Sequence, residues 1–295
     1  MDRKEFVRKG ILGTGMFVAS GIAAHVIKKD IEELTSLEPI ENKIVGFNHI
    51  PNTKSNIMEN TVLHKAETRG HANHGWLDSH HTFSFANYYN PDRMHFGVLR
   101  VLNDDVVSGG MGFGRHPHDN MEIISIPLEG DLEHQDSMGN TTVIRNGDVQ
   151  VMSAGTGIQH SEKNKNQDKK VKFLQIWVFP NKRNVPPRYD QLTLKAEDRQ
   201  NKLQQILSPN ADDEGVWIHQ DAWFHLGSLD QGNSQNYHLK KKGNGVYAFV
   251  ISGEVTVAGQ PLSSRDGLGV WDMDEVSILA NSKAEILLME VPMAV

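Results

Sequence analysis

From Thr61 onward, apolar and polar positions alternate in short runs, a period of two that predicts strands rather than helices. Thr82-Phe83-Ser84-Phe85 alternates as a half-buried strand does. Residues 96–102 predict a second strand, ended by the polar run Asn103-Asp104-Asp105, and residues 122–128 a third, closed by Glu129-Gly130-Asp131. Gly139-Asn140 and Asn146-Gly147-Asp148 mark hairpin turns. Residues 149–152 and 171–179 supply further strands, with the charged loop 163–170 between them. Beyond a Pro-rich boundary, residues 180–187, the pattern starts again. Ile251-Ser252-Gly253-Glu254-Val255 repeats the pattern of Leu128-Glu129-Gly130-Asp131-Leu132. The expectation is an all-β chain of two tandem sandwich or barrel domains, residues 61–180 and 181–295.

The first 60 residues read differently. A basic start, Arg3-Lys4-Glu5-Phe6, precedes a charge-free stretch from Gly10 to Ala24, which is too short to span a bilayer comfortably. Residues 1–27 are expected to form a helical export signal or anchor that touches the membrane transiently, and 28–60 a linker. The segment is similar to a twin-arginine signal, with Lys4 in place of the second arginine and Val7 in place of leucine. The expected location is the periplasm or the membrane surface, the alternative being a frayed helix on a cytoplasmic protein.

Composition narrows the partners. The chain has 295 residues, a net charge of −7 and a pI near 6.1, so it offers no basic face for nucleic acid. A monomer is expected. With no cysteine, disulfides, thiolate nucleophiles and Cys-ligated zinc are excluded. The 15 histidines matter through their clustering.

Two segments carry the candidate chemistry: Gly112-Phe113-Gly114-Arg115-His116-Pro117-His118-Asp119-Asn120-Met121-Glu122, and Ser153-Ala154-Gly155-Thr156-Gly157-Ile158-Gln159-His160-Ser161-Glu162. On a strand, His116 and His118 share a face, as do His160 and Glu162. Were the two segments to face each other, three imidazoles and a carboxylate would converge. That is a ligand set for one divalent transition metal. Glu122 and Glu162 compete for the carboxylate position, and local geometry leaves the choice open. Met111, Phe113 and Met152 are candidates to line a pocket. In the second half, His219, His225 and His238 are scattered, and that domain is read as metal-free.

These segments resemble the cupin superfamily. Gly110, His116, His118 and Glu122 fit its first motif, with Gly130 one residue late, and Gly157, His160 and Asn164 fit the second. More closely, His-Pro-His, Met-Ser-Ala-Gly-Thr-Gly-Ile and His160-Ser-Glu162 resemble the pirin family. Gly75-Trp76-Leu77-Asp78, His81-Thr82-Phe83-Ser84-Phe85, Asn87-Tyr88-Tyr89 and Glu133-His134-Gln135-Asp136-Ser137-Met138-Gly139 extend the likeness, which runs from about His64 to the C-terminus. It implies a bicupin close to the bacterial pirin-like quercetin 2,3-dioxygenases. It also implies His116, His118, His160 and Glu162 as ligands, and Glu162 as catalytic base. Glu122 is then expected either to orient a ligand histidine or to be a hydrogen-bonded barrel residue. The implied metal is Fe(II) foremost, with Ni, Mn, Co, Cu or Zn as alternatives. The implied partners are a small aromatic substrate and dioxygen, the flavonol ring being opened with release of carbon monoxide. Pirins of animal cells imply a second reading, a metal-dependent partner of transcription regulators. A third is a cupin oxygenase acting on another small aromatic compound.

Overall fold

The computed structural model describes residues 60–295. The expected signal or anchor, residues 1–27, and the linker up to residue 59 lie outside the described residues. Regular structure in the rest is almost entirely strand, with three-residue 3₁₀ turns as the described helices.

Each half of this unit is a sandwich of a seven-stranded and a four-stranded sheet. In the first half the large sheet runs, in spatial order, Arg188–Thr193, Asp148–Ser153, Glu122–Glu129, Val171–Val178, Leu99–Val107, Leu77–His81, Gly70–Asn73. The small sheet is Gly112–His118, Ile158–Asn164, Asp131–Asp136, Thr141–Arg145. The second half repeats the plan around Asn244–Ser252 and Ala284–Pro292. This is the two-domain, all-β architecture expected of a bicupin.

The halves exchange edges. Thr61–His64 joins the large sheet of the second half by pairing with Gly267–Trp271, and Arg188–Thr193 closes the large sheet of the first half by pairing with Asp148–Ser153. The proline-marked boundary near residue 180 therefore divides the sequence before the last strand of the first half's sheet. Between the two large sheets lies the main core, where Leu102, Ile124, Val151, Leu174 and Ile176 meet Phe224, Phe249, Leu287 and Met289.

Side-chain alternation then decides what each sheet sends inward. In the first half, even positions 124, 126, 174 and 176 face the other half, so odd positions 123, 125, 175 and 177 face into the sandwich. The second sandwich is filled by one apolar cluster that includes Val246, Val250, Val255, Val276, Ile278 and Leu288. The first is not. Its interior has two small apolar clusters, one around Leu77, Val107, Leu132, Ile144 and Phe173, the other around Ile123, Met152 and Ile158.

Two strand expectations need correction. Residues 82–85 are a turn-rich passage that follows the strand Leu77–His81. Phe85 and Tyr88 exchange backbone hydrogen bonds around Ala86, which has φ 49°, so the chain doubles back instead of continuing the ladder. Asn103-Asp104-Asp105 does not end its strand, which runs on to Val107. Asp104 is neutralised from outside by Arg265 (2.9 Å) and Arg69 (3.3 Å), while Asn103 and Asp105 turn into the sandwich.

Candidate metal centre

Gly112–His118 and Ile158–Asn164 are antiparallel neighbours, with His160 directly opposite His116 and Ile158 opposite His118. Alternation along one strand and pairing across to the other bring the three imidazoles together. Their ring centroids are 4.5 Å (His116 to His160), 4.9 Å (His118 to His160) and 4.9 Å (His116 to His118) apart. One nitrogen from each lies within 4.8 Å of the others.

The protonation pattern suits an ion. His116 Nδ1 donates to the Gly114 carbonyl at 2.7 Å, which leaves Nε2 as a lone pair. Burial lowers the His118 pKa to about 4 and that of His160 to about 2, with the neighbouring imidazoles adding to the effect, so both rings are neutral at pH 7. His118 Nε2 and both nitrogens of His160 are buried with no hydrogen-bond partner. Unpartnered buried polar atoms are costly, and a divalent transition metal is what converging neutral imidazoles accommodate.

Glu162 is beside this cluster, held by other contacts. Two positions after His160 on a strand that is regular against Asp131–Asp136, its side chain faces the large sheet. There it accepts from Ser125 Oγ at 3.0 Å and from Gln175 Nε2 at 2.6 Å. Burial raises its pKa to about 7 against these two bonds. The structure thus groups His116, His118 and His160, with Glu162 next to His160 on the same strand.

Glu122 is placed elsewhere. The chain reverses at Asn120 (φ 45°), so Glu122 no longer shares a face with His116 and His118. It occupies an even position and points to the second half, where it accepts from Ser153 Oγ at 2.6 Å and lies near the His219 backbone amide and Arg188. The ligand-orienting role expected for it is not what the structure shows; it is the hydrogen-bonded barrel residue.

A cavity of about 640 Å³ opens beside the imidazoles, with His116 and Glu162 in its wall. Trp76, Phe85, Tyr88, Phe113 and Trp177 give it aromatic faces. Of the three pocket candidates only Phe113 borders it. Met111 is exposed and Met152 belongs to a core cluster. Sequence reasoning missed the polar side of this cavity: Ser79, His81, Asn103, Asp105 and Gln175. It also missed buried His134, whose ring lies 5.4 Å from His160 and 4.7 Å from Tyr189 and whose Nε2 is 3.2 Å from Asp136. The signal was alternation itself: polar residues at 103 and 105, and at 134 and 136, where a strand should send apolar groups inward.

Family models match both halves: Pirin over residues 62–178, and the quercetinase C-terminal cupin domain over 205–291. A quercetin 2,3-dioxygenase of Escherichia coli is 48% identical over 78% of this chain and 98% of its own length. The chain belongs to the pirin family. A pirin-like protein of Caulobacter vibrioides is 39% identical to this pirin over 75% of the chain and 95% of its own length. Among solved structures, the bacterial pirin YhhW of E. coli in complex with nickel(II) matches with a TM-score of 0.75 and 45% identity, covering 79% of this chain and 99% of that one.

Proposed function

We propose that this pirin is a metal-dependent dioxygenase that cleaves a flavonol such as quercetin with dioxygen. One observation carries the reading: His116, His118 and His160 converge, the latter two with buried unpartnered nitrogens, and His116 borders a cavity of about 640 Å³ with aromatic walls. That volume suits a ligand of two or three fused rings. The names of its relatives support the same substrate class.

In this reading His116, His118, His160 and Glu162 hold one divalent ion, Fe(II) being our choice. The bound ion supplies Lewis acidity that favours ionisation of the flavonol 3-hydroxyl. Glu162 receives that proton. Burial raises its pKa, which favours a carboxylate that can take a proton up. Ser125 and Gln175 orient its carboxylate, and reaching the ion means exchanging one of these two bonds. Trp76, Phe85, Phe113 and Trp177 keep water from the reacting ring.

The test is metal analysis of protein from its native host, followed by oxygen uptake over a panel of flavonols and catechols. We expect about one tightly held ion per chain and flavonol-dependent oxygen consumption, with His160→Ala losing both. Tight metal binding that survives this change, or no uptake with any flavonol, overturns the reading. We also propose that residues 1–27 direct export. Fractionation of the native host should place the protein outside the cytoplasm, and replacing both Arg3 and Lys4 by Gln should retain it inside.

A further inference from the structure

The interior of the first sandwich is split by a line of polar side chains. Gln150, Ser125, Gln175, Asn103 and His81 occupy directly opposed positions on five neighbouring strands of the large sheet. Asp105 and Ser79 form a second opposed pair beside them. All of them are buried. The second half fills the equivalent space with one apolar cluster, so the fold itself does not require this row. Each buried polar group left unpaired costs about 1–3 kcal/mol, which asks what it is for.

Its hydrogen-bond inventory is unbalanced. Ser125 and Gln175 donate to Glu162. Ser79 gives its one hydroxyl hydrogen to Asp105, so at 2.8 Å it must accept from Nε2–H of neutral His81. That tautomer leaves His81 Nδ1 as an acceptor, and it has no partner. Asn103 Oδ1 has none either. Asp105 finds no donor other than Ser79 among the described residues. These three residues are 4%, 2% and 3% exposed and all border the cavity, so what this end of the cavity lacks is donors; the unpartnered donor of the wall, Trp177 Nε1–H, belongs to a ring beside His118 at the other end. The row also leads away from the imidazoles. Gln175 touches Glu162, Asn103 is one strand further and His81 two, a reach of about 10 Å at the usual strand spacing.

We infer that this row is a hydroxyl-reading subsite. Asn103, His81 and Asp105 accept O–H hydrogens from the end of an aromatic ligand remote from the imidazoles, and so select polyhydroxylated aromatics over unsubstituted or O-methylated ones. The inference rests on the flavonol reading only for what lies at the near end of the ligand.

The experiment is calorimetric titration of the metal-loaded protein without oxygen, using quercetin, the same flavonol with its catechol hydroxyls methylated, and 3-hydroxyflavone. Each donor–acceptor bond lost is worth about tenfold in affinity. Quercetin should therefore bind at least about tenfold more tightly than either analogue. In Asn103→Leu and in His81→Phe the gap should narrow to roughly threefold, with circular dichroism and metal content as folding controls. Oxygen uptake is measured in parallel. Equal affinity for the three ligands in the wild type, or an undiminished gap in both folded variants, overturns the inference, and if flavonol oxidation persists the proposed function still stands. A hydroxyl-dependent affinity without oxygen uptake supports the subsite and overturns the oxygenase. No binding of any ligand overturns both.

Discussion

Glu122 and Glu162 are both buried glutamates four residues or fewer from a histidine of the cluster, and strand parity alone separates their roles. Glu162 faces into the sandwich beside His160, and Glu122 faces the other half. Glu162→Gln keeps an oxygen that can coordinate but loses charge and basicity. It should hold metal more weakly and fail in flavonol-dependent oxygen uptake. Glu122→Gln should retain both metal and turnover close to the wild-type level; a metal-free, inactive Glu122→Gln would return the carboxylate role to the general cupin position. Glu122 also makes a pH prediction. Burial lifts its pKa from 4.5 to about 7, against the Ser153 hydroxyl, the His219 amide and Arg188. The folded state then binds the proton more tightly than the unfolded chain, so this group's contribution to stability is present below pH 4.5 and lost as pH rises to 7. Gln cannot ionise. Glu122→Gln should melt with the wild type near pH 5 and above it near pH 8, by up to about 3 kcal/mol. Thermal melts at the two pH values check this, and a variant that melts lower than the wild type at pH 8 refutes it.

At the scale of the element, the site depends on two strands lying close. Gly112 is opposite Lys163, and a methyl group there would overlap the Glu162 carbonyl oxygen and come 2.5 Å from Lys163 Cα. Gly112→Ala should push Gly112–His118 away from Ile158–Asn164, lowering stability by about 1–3 kcal/mol and weakening metal retention. Melting and metal analysis read the two effects, and an unchanged metal affinity would show that the imidazole cluster tolerates a wider strand spacing. This same pair of strands was the most legible part of the sequence. Alternation puts His116 and His118 on one face of their strand, and the structure sets His160 on the same face of the neighbouring strand, side by side with them instead of across from them. Parity fails across an irregular turn, and for that reason the facing of Glu122 could not be read through Asp119-Asn120-Met121. The run Asn103-Asp104-Asp105 reads as a strand end because polarity is the usual mark of one. Only the sheet neighbours reveal that Asp104 meets arginines outside while Asn103 and Asp105 line a cavity. Sheet order, and with it the polar row, is set by pairings between residues far apart in sequence, which a local pattern does not encode. The edge exchange of Thr61–His64 and Arg188–Thr193 is of the same kind.

At the scale of the molecule, the two halves share one core and two exchanged strands, and further bonds tie the exchange down. His64 Nδ1 lies 2.8 Å from the Tyr247 hydroxyl, Lys65 pairs with Asp266, and Arg265 reaches Asp104 in the first half. Phe83 and Phe96 of the first half pack at 5.5 Å on Tyr247 of the second. Neither half can open without exposing the large apolar face it shares with the other, so residues 60–295 should unfold in one transition. A ligand bound to the folded state alone stabilises the whole cooperative unit. Metal held by the first half should therefore protect the second as well, although no grouping of metal-ligating side chains was found there among the described residues. At a hundredfold excess over Kd the stabilisation is about 2.7 kcal/mol. At about 2–4 °C per kcal/mol for a unit of this size, chelation should lower the melting temperature by about 5–10 °C while keeping a single calorimetric peak. Tryptophan fluorescence and far-ultraviolet circular dichroism should report the same midpoint, because Trp177 lies near the imidazoles and Trp223 and Trp271 lie in the second half. Two peaks after chelation, only one of them shifted, would mean that the halves melt separately and that the exchanged strands do not couple them.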